Sequence, residues 1–180
     1  GRGRDLEGKR FVITAGGTRE FLDPVRFLGN RSSGLQGYAL ASAAVARGAH
    51  VTLVAANVAL GDPVEVSVVP VVTTAEMRAE TLAAAKDADV VIMAAAPADF
   101  RPVQVSGAKI KKSEDGSAPS IELTQNPDIL HELVTSRTDS TTCSKVWLVF
   151  FTSAVVEVMC AVEPPSSPSI SVAATAVRCA

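Results

Sequence analysis

The sequence predicts an α/β fold: a mostly parallel sheet covered by helices on both faces, in three layers. Three observations point there. Short apolar runs rich in β-branched residues alternate with stretches of helical spacing, capping signals fall between them, and the first run ends in a glycine pair. Arg10 to Ala15 is such a run, closed by Gly16-Gly17, and has the pattern of a buried parallel strand. From Ser33 to Arg47, Leu35, Tyr38, Ala39, Ser42, Val45 and Ala46 recur at helical spacing. Ser32 or Ser33 is placed to cap that helix, and Gly48 stands where a left-handed stop is needed. His50 to Val54 reads as a second strand and Val66 to Val72 as a third. Thr73-Thr74-Ala75-Glu76 has capping-box spacing ahead of a helix to about Lys86. Asp89 to Ala95 is a fourth strand, and Asn126-Pro127-Asp128 orders a cap, a proline and an acid to open another helix.

Composition bounds the function. The 180 residues fit one domain with or without a tail, and the 47% hydrophobic content excludes disorder for most of the chain. Seventeen basic against nineteen acidic side chains, net −2, exclude a nucleic-acid binder working by bulk positive charge. Aromatic content of 4% argues against stacking platforms for single strands. Gly1 to Arg10 lacks the apolar core of a secretory signal. Val146 to Val162 is 17 residues long, contains Glu157 and is rich in β-branched residues, so no membrane span is expected. Cys143, Cys160 and Cys179 show no zinc or C-x-x-C spacing, and a reduced, cytoplasmic protein is the simpler expectation.

Residues 136–180 differ in kind from residues 9–135. They hold six charged residues, thirteen Ser or Thr, all three cysteines and the Pro164-Pro165 cluster, and no glycine follows Gly116. A strand is expected at Lys145 to Phe151, and the remainder is left unassigned.

The chemistry starts in the loop from Gly16 to Gly37. A glycine-rich turn at the carboxyl end of a first strand is where open α/β sheets bind ligands. No G-x-G-x-x-G is present, no acid ends the second strand at Val54-Ala55-Ala56, and Tyr38 has Ser42 four residues on where a dehydrogenase needs lysine. A nicotinamide-dependent enzyme is therefore a weak reading. The loop instead carries Arg26 and Arg31, planar donors for carboxylate or phosphate, and Ser32, Ser33 and Gly34 at a helix start suited to an anion. An ordinary capped loop with surface arginines has the same spacing.

Five motifs follow one another in order. They are Thr14-Ala-Gly-Gly-Thr-Arg-Glu20, Asp23-Pro-Val-Arg-Phe-Leu-Gly-Asn-Arg-Ser-Ser-Gly34, Ala94-Ala-Ala-Pro-Ala-Asp-Phe-Arg-Pro102, Lys109-Ile-Lys-Lys112 and Asn126-Pro-Asp-Ile-Leu130. Together they resemble the phosphopantothenoylcysteine synthetase (phosphopantothenate–cysteine ligase) domain of bacterial coenzyme A biosynthesis. The first eight residues look like the linker that follows the decarboxylase domain in bifunctional members. The resemblance implies a Rossmann-like three-layer fold and a two-step ligation. The carboxylate of 4′-phosphopantothenate attacks the α-phosphate of CTP, and the amine of cysteine then displaces CMP. CTP as co-substrate, Mg²⁺ with the triphosphate, a cytoplasmic location and a homodimer come with it.

Carried over by position, the resemblance makes Asn30 the catalytic contact to the acyl-cytidylate. It places Gly16, Gly17, Arg26, Asn30, Ser32, Ser33, Gly34 and Ala96 at the acyl substrate. It assigns the nucleotide to Met93, Ala94, Ala95, Asp99, Lys109, Pro127, Asp128, Ile129 and Leu130, with Lys109 on a flap. No metal ligand is assigned. Taken without it, Asp99 is equally a turn residue, Lys109 to Lys112 a solvated loop and Asn126 to Asp128 a helix cap.

Two departures stand out. Pro97 replaces the usual valine and removes an N–H donor. After about Val134 the family's Gly-Phe-Ala-Ala-Glu-Thr strand end, lysine-bearing helix and Ala-Asn-Asp-Val-type strand have no counterpart, so the sheet is expected to be incomplete at its C-terminal end. The composition of 136–180 fits a shifted reading frame or an aberrant gene end, poorly ordered. Three readings follow: a synthetase-domain fragment, a non-catalytic remnant serving binding or dimerisation, and a different α/β nucleotide-binding enzyme.

Overall fold

A computed structural model describes residues 3–112, 117–138, 146–152, 155–161 and 172–177. In chain order the elements are β1 (Arg10–Gly16), β2 (Arg19–Asp23), β3 (Arg26–Gly29), α1 (Leu35–Ala46), β4 (His50–Ala56), β5 (Val66–Val71), α2 (Thr74–Ala85), β6 (Val90–Met93), β7 (Phe100–Pro102), β8 (Leu123–Gln125), α3 (Ile129–Thr138), β9 (Val146–Thr152), β10 (Val155–Ala161) and β11 (Val172–Val177). Among the described residues, seven strands form one sheet in the order β11-β10-β9-β6-β1-β4-β5. β9, β6, β1, β4 and β5 run parallel, and β10 is antiparallel to both its neighbours. Two short antiparallel pairs, β2–β3 and β7–β8, stand beside the main sheet.

Strand side chains alternate between two cores, as a period of two dictates. Val12, Val54, Ala56, Val91 and Met93 face Met77 and Ala85 of α2 and Ile129 and Leu133 of α3. Phe11, Ile13, Ala15, Leu53 and Ile92 face Tyr38, Ala41 and Ala44 of α1. Both faces are covered, so the expected three-layer α/β architecture with a mostly parallel sheet holds. The capping box also forms: Thr73 Oγ1 accepts from the Glu76 N–H, and Glu76 Oε2 accepts from the Thr73 N–H, each at 3.2 Å.

Two caps differ from expectation. The chain enters α1 through Gly34 at φ +78°, with no side-chain cap; the Leu35 N–H reaches Ser33 Oγ only at 3.4 Å, and Ser32 does not cap the helix. A Cβ on Gly34 would lie 2.6 Å from Val58 Cγ2, so close packing requires glycine at the helix entrance. At α3 the cap is Asp128, whose Oδ1 accepts from the His131 N–H at 3.0 Å, and Asn126 is engaged elsewhere. The loop from Gly16 to Gly37 also contains a hairpin, β2–β3, that its sequence does not announce.

β9 coincides with the strand expected at 145–151, while β10 and β11 occupy residues left unassigned, so three strands extend the sheet beyond β6 at the edge expected to be incomplete. Of the stretch 136–180, residues 139–145, 153–154, 162–171 and 178–180 lie outside the described residues. Cys143, Cys179 and the expectation of poor order there fall with them. Among the described residues no helix is long and apolar enough to cross a membrane.

Candidate active site

Of the predicted acyl-substrate residues, all but Arg26 gather around the carboxyl ends of β1, β4 and β6. The Gly16 carbonyl accepts from the Ala96 N–H at 2.8 Å, and Gly17 forms a parallel bridge with Ala96. This draws the segment after β6 alongside the loop after β1. Gly17 has no room for a side chain, since its Cβ position lies 2.4 Å from the Asn30 carbonyl oxygen and 3.6 Å from Ser32 Cβ. Asn30 in turn donates from Nδ2 to the Pro97 carbonyl at 2.9 Å. Gly34 packs beside Gly16, its Cβ position 3.4 Å from the Gly16 nitrogen. Gly16, Gly17, Asn30, Ser32, Gly34 and Ala96 are thus brought together, with Asn30 and Ser33 exposed. The uncapped start of α1 adds backbone N–H groups suited to an anion.

Behind this surface lies a row of buried hydroxyls. Thr14 accepts from the Ala95 N–H at 3.1 Å, and its hydroxyl lies 3.9 Å from Met93 Sδ. Thr18 accepts from the Ala98 N–H at 2.8 Å and lies 2.9 Å from Thr74 Oγ1. The Thr74 N–H donates to the buried Glu20 at 2.9 Å. These bonds fix the path from Met93 to Asp99. Met93 is buried, Ala94 and Ala95 are half-buried, and the Asp99 side chain is exposed beyond them.

Arg26 and Lys109 sit on a separate part of the surface. Asp23, fully buried, accepts from the N–H groups of Val25 and Arg26 on Oδ1, and from Arg26 Nε and the Ile110 N–H on Oδ2. Burial raises the Asp23 pKa, but the N–H groups of Val25, Ile110 and Arg26 and the Arg26 guanidinium outweigh it, so the carboxyl is held below its ordinary value. Arg26 also donates to the Ile110 carbonyl. Its hydrogen bonds therefore run to Asp23 and Ile110 and not to the Asn30 loop, and they anchor the segment that presents Lys109, which is exposed. A cavity of about 460 Å³ opens there between Leu22, Val105, Ile110 and Ile121.

The 127–130 segment follows Asn126, whose N–H donates to the Asp99 carbonyl at 2.8 Å. Pro127 and Asp128 are exposed, whereas Ile129 and Leu130 pack into the core beneath α2. Ile129 is buried, so any contact it makes with a ligand is through backbone, whereas Leu130 is half-buried. Among the described residues no group of three or more His, Cys, Asp or Glu could hold a metal ion.

The family described as the DNA/pantothenate metabolism flavoprotein C-terminal domain matches residues 6–154. The chain belongs to this family. Members that resemble it include the coenzyme A biosynthesis bifunctional protein CoaBC of Mycobacterium tuberculosis, 54% identical over 134 residues. The corresponding protein of Vibrio vulnificus is 46% identical over 127 residues. These matches take in 74% and 71% of this chain, and the chain spans about a third (32%) of either relative's length. The crystal structure of the C-terminal domain of a CoaBC protein superposes with a TM-score of 0.61 at 31% identity, covering 94% of this chain and 87% of that one. A Cab2 mutant in complex with phosphopantothenate-cysteine shares the fold alone, with a TM-score of 0.63 at 18% identity, covering 96% and 80%.

Within this family domain, sequence reasoning passed over the residues behind the surface: Thr14, Thr18, Thr74, Asn57 and Asn126. Asn57 adopts φ +52° and donates from Nδ2 to the Gly17 and Val72 carbonyls at 2.9 and 3.0 Å. The one available signal was a small polar residue where pairing on one side of a strand stops and backbone groups need partners, as at Thr14, the last β1–β6 pair, and Asn57, just past β4.

Proposed function

We propose that this chain carries the acyl-substrate loop and the first nucleotide contacts of the coenzyme A ligase chemistry that joins 4′-phosphopantothenate to cysteine through an acyl-cytidylate made from CTP, with little turnover of its own. The observation that carries the reading is the convergence of Asn30, Gly16-Gly17, Gly34 and Ala96 at the carboxyl ends of the parallel strands. Open α/β sheets place ligands there, and the family domain matches through it. The names of the CoaBC relatives support the pathway.

In this reading the phosphate or carboxylate of the acyl substrate faces Ser32, Ser33 and the α1 amide groups. The Asn30 amide is a neutral donor beside the reacting oxygens. It stabilises developing negative charge without competing as a nucleophile. CTP lies across Met93–Ala95, Asp99 and the start of α3, with Lys109 toward its phosphates. Mg²⁺ arrives with the triphosphate, in keeping with its habit of binding substrate phosphates and few carboxylates. The exposed Phe21, Phe27, Phe100, Val105 and Leu123 supply an apolar surface for a homodimer in the cytoplasm.

The altered stretch 136–180 favours a second reading, a binding remnant without turnover. CTP-dependent pyrophosphate release separates the ligase from the remnant, and titration with 4′-phosphopantothenate, pantothenate and NADH separates both from a different nucleotide-binding enzyme. Saturable binding of the phosphorylated compound over pantothenate is expected. Binding of NADH alone would replace this reading with a different nucleotide-binding enzyme.

A further inference from the structure

Asn126 stands outside every residue assigned to the site, yet it makes three hydrogen bonds to the segment that presents Asp99. Its Nδ2 donates to the Ala98 carbonyl and its backbone N–H to the Asp99 carbonyl, both at 2.8 Å, while its Oδ1 accepts from Arg101 Nη1 at 3.0 Å. The first two bonds hold the two peptide groups that flank the Asp99 Cα. The preceding peptide group is held as well, its N–H by Thr18 at 2.8 Å and its carbonyl by Asn30 at 2.9 Å.

Behind Ala98 the hydroxyls close a ring. The Ala98 N–H donates to Thr18, the Thr18 hydroxyl lies 2.9 Å from Thr74 Oγ1, and Thr74 Oγ1 lies 3.5 Å from the Ala98 carbonyl. One assignment has each hydroxyl donate once and accept once: Thr18 to Thr74, and Thr74 back to Ala98. Thr18 and Thr74 are fully buried, so their bonds do not compete with water. Three consecutive peptide groups are pinned, and the Asp99 carboxylate beyond them is exposed, with no hydrogen bond to another described residue.

We propose that Asn126 is a positioning residue. It sets the backbone on both sides of Asp99 and ties that turn to the start of α3, which follows at Pro127, so that both segments face one ligand in a fixed geometry. The proposal rests on the reading that Asp99 and residues 127–130 face CTP.

The test uses the whole 180-residue chain with Mg²⁺ and CTP as the probe. Asn126→Ala should weaken CTP about tenfold, the size of one or two lost hydrogen bonds, and change 4′-phosphopantothenate affinity less than about twofold. In an Asp99→Ala background the same substitution should cost CTP binding clearly less than in the parent, because the part of its effect that acts through Asp99 has nothing left to position. Equal losses in the two backgrounds, unchanged CTP affinity, or equal weakening of both ligands would overturn it. Amide hydrogen exchange on the ligand-free chain reads the clamp independently of any nucleotide. Asn126→Ala should speed exchange at Asp99 and Phe100 and leave Ile13 and Leu53 unchanged; no change at Asp99 and Phe100 overturns the clamp. A parent chain that binds no CTP, with faster exchange in the variant, would refute the CTP reading and leave the clamp standing.

Discussion

Gly17→Ala probes the contact on which the acyl-substrate loop depends. Gly17 has no positive φ, so an alanine there meets no backbone strain and the outcome is steric. The new methyl would sit 2.4 Å from the Asn30 carbonyl oxygen, about 1 Å inside ordinary contact, and the obstacle is backbone that no rotamer change can remove. The 29–31 chain must move outward by about that distance, taking the Asn30 amide off the Pro97 carbonyl, now 2.9 Å away. Overpacking of this kind costs about 2 kcal/mol, which lowers the melting temperature of a chain this size by about 4–8 °C. Misplacement by about 1 Å costs on the order of a hundredfold in positioned chemistry. Affinity for 4′-phosphopantothenate should fall at least tenfold, by an order-of-magnitude discount from that value for binding alone. Gly61→Ala is the control, because nothing lies within 4 Å of its Cβ position. Calorimetric titration beside thermal denaturation reads both effects. A Gly17→Ala chain with the melting temperature and affinity of Gly61→Ala would refute the steric argument and the role given to the loop.

Other substitutions test the remaining parts. Asn30→Asp removes the donor to Pro97 and sets a negative charge beside the expected phosphate; affinity for 4′-phosphopantothenate should drop while the melting temperature stays near the parent's, because Asn30 is exposed. An unchanged affinity would count against Asn30. Lys109→Gln removes one exposed cation and should weaken CTP more than 4′-phosphopantothenate, with the difference shrinking at high salt as screening grows. Equal weakening at every salt concentration would point to a different role. The Asp23 carboxyl titrates below its ordinary value of 3.8, first opposed by burial and then carried down by its N–H partners and Arg26. A depressed folded-state pKa means stability that is complete above the unfolded value and lost as pH falls through the folded one. Asp23→Asn should therefore lower stability at neutral pH and flatten the acid limb below about pH 4; parallel stability curves for the two chains would contradict this.

How much of this was legible in the sequence depended on whether the signal was local. Arg10 to Ala15 reads as a buried strand because an apolar β-branched run carries its own pattern, and β1 occupies it. Thr73 to Glu76 announces a helix start because both bonds of a capping box lie within four residues. The β2–β3 hairpin was not legible, because its turn is held by Asp23, a buried acid that breaks the apolar alternation and takes part of its support from Ile110, far along the chain. The β7–β8 pair likewise joins segments twenty residues apart. Gly34 and Asp128 displaced the expected caps at Ser32 or Ser33 and Asn126 for tertiary reasons: Gly34 packs on Val58, and Asn126 is taken by Ala98.

The site divides in the same way. Its glycine loop and Asn30 were visible from motifs, and the structure gathers them at Ala96 and Pro97. The hydroxyls behind the site join β1–β2, α2 and the segment after β6 that contains Ala98, and no single window of sequence contains that set.

The most direct measurement is a coupled assay on the purified 180-residue chain with 4′-phosphopantothenate, cysteine, CTP and Mg²⁺, run beside binding of 4′-phosphopantothenate alone. The loop at Gly16, Gly17 and Asn30 is assembled, whereas the resemblance leads to the expectation that the later nucleotide motifs are absent from 136–180. The account therefore predicts saturable, specific binding of 4′-phosphopantothenate with little or no pyrophosphate release. Absence of that binding would contradict the site, and turnover comparable with a full-length CoaBC protein would show that residues 136–180 rebuild the nucleotide half.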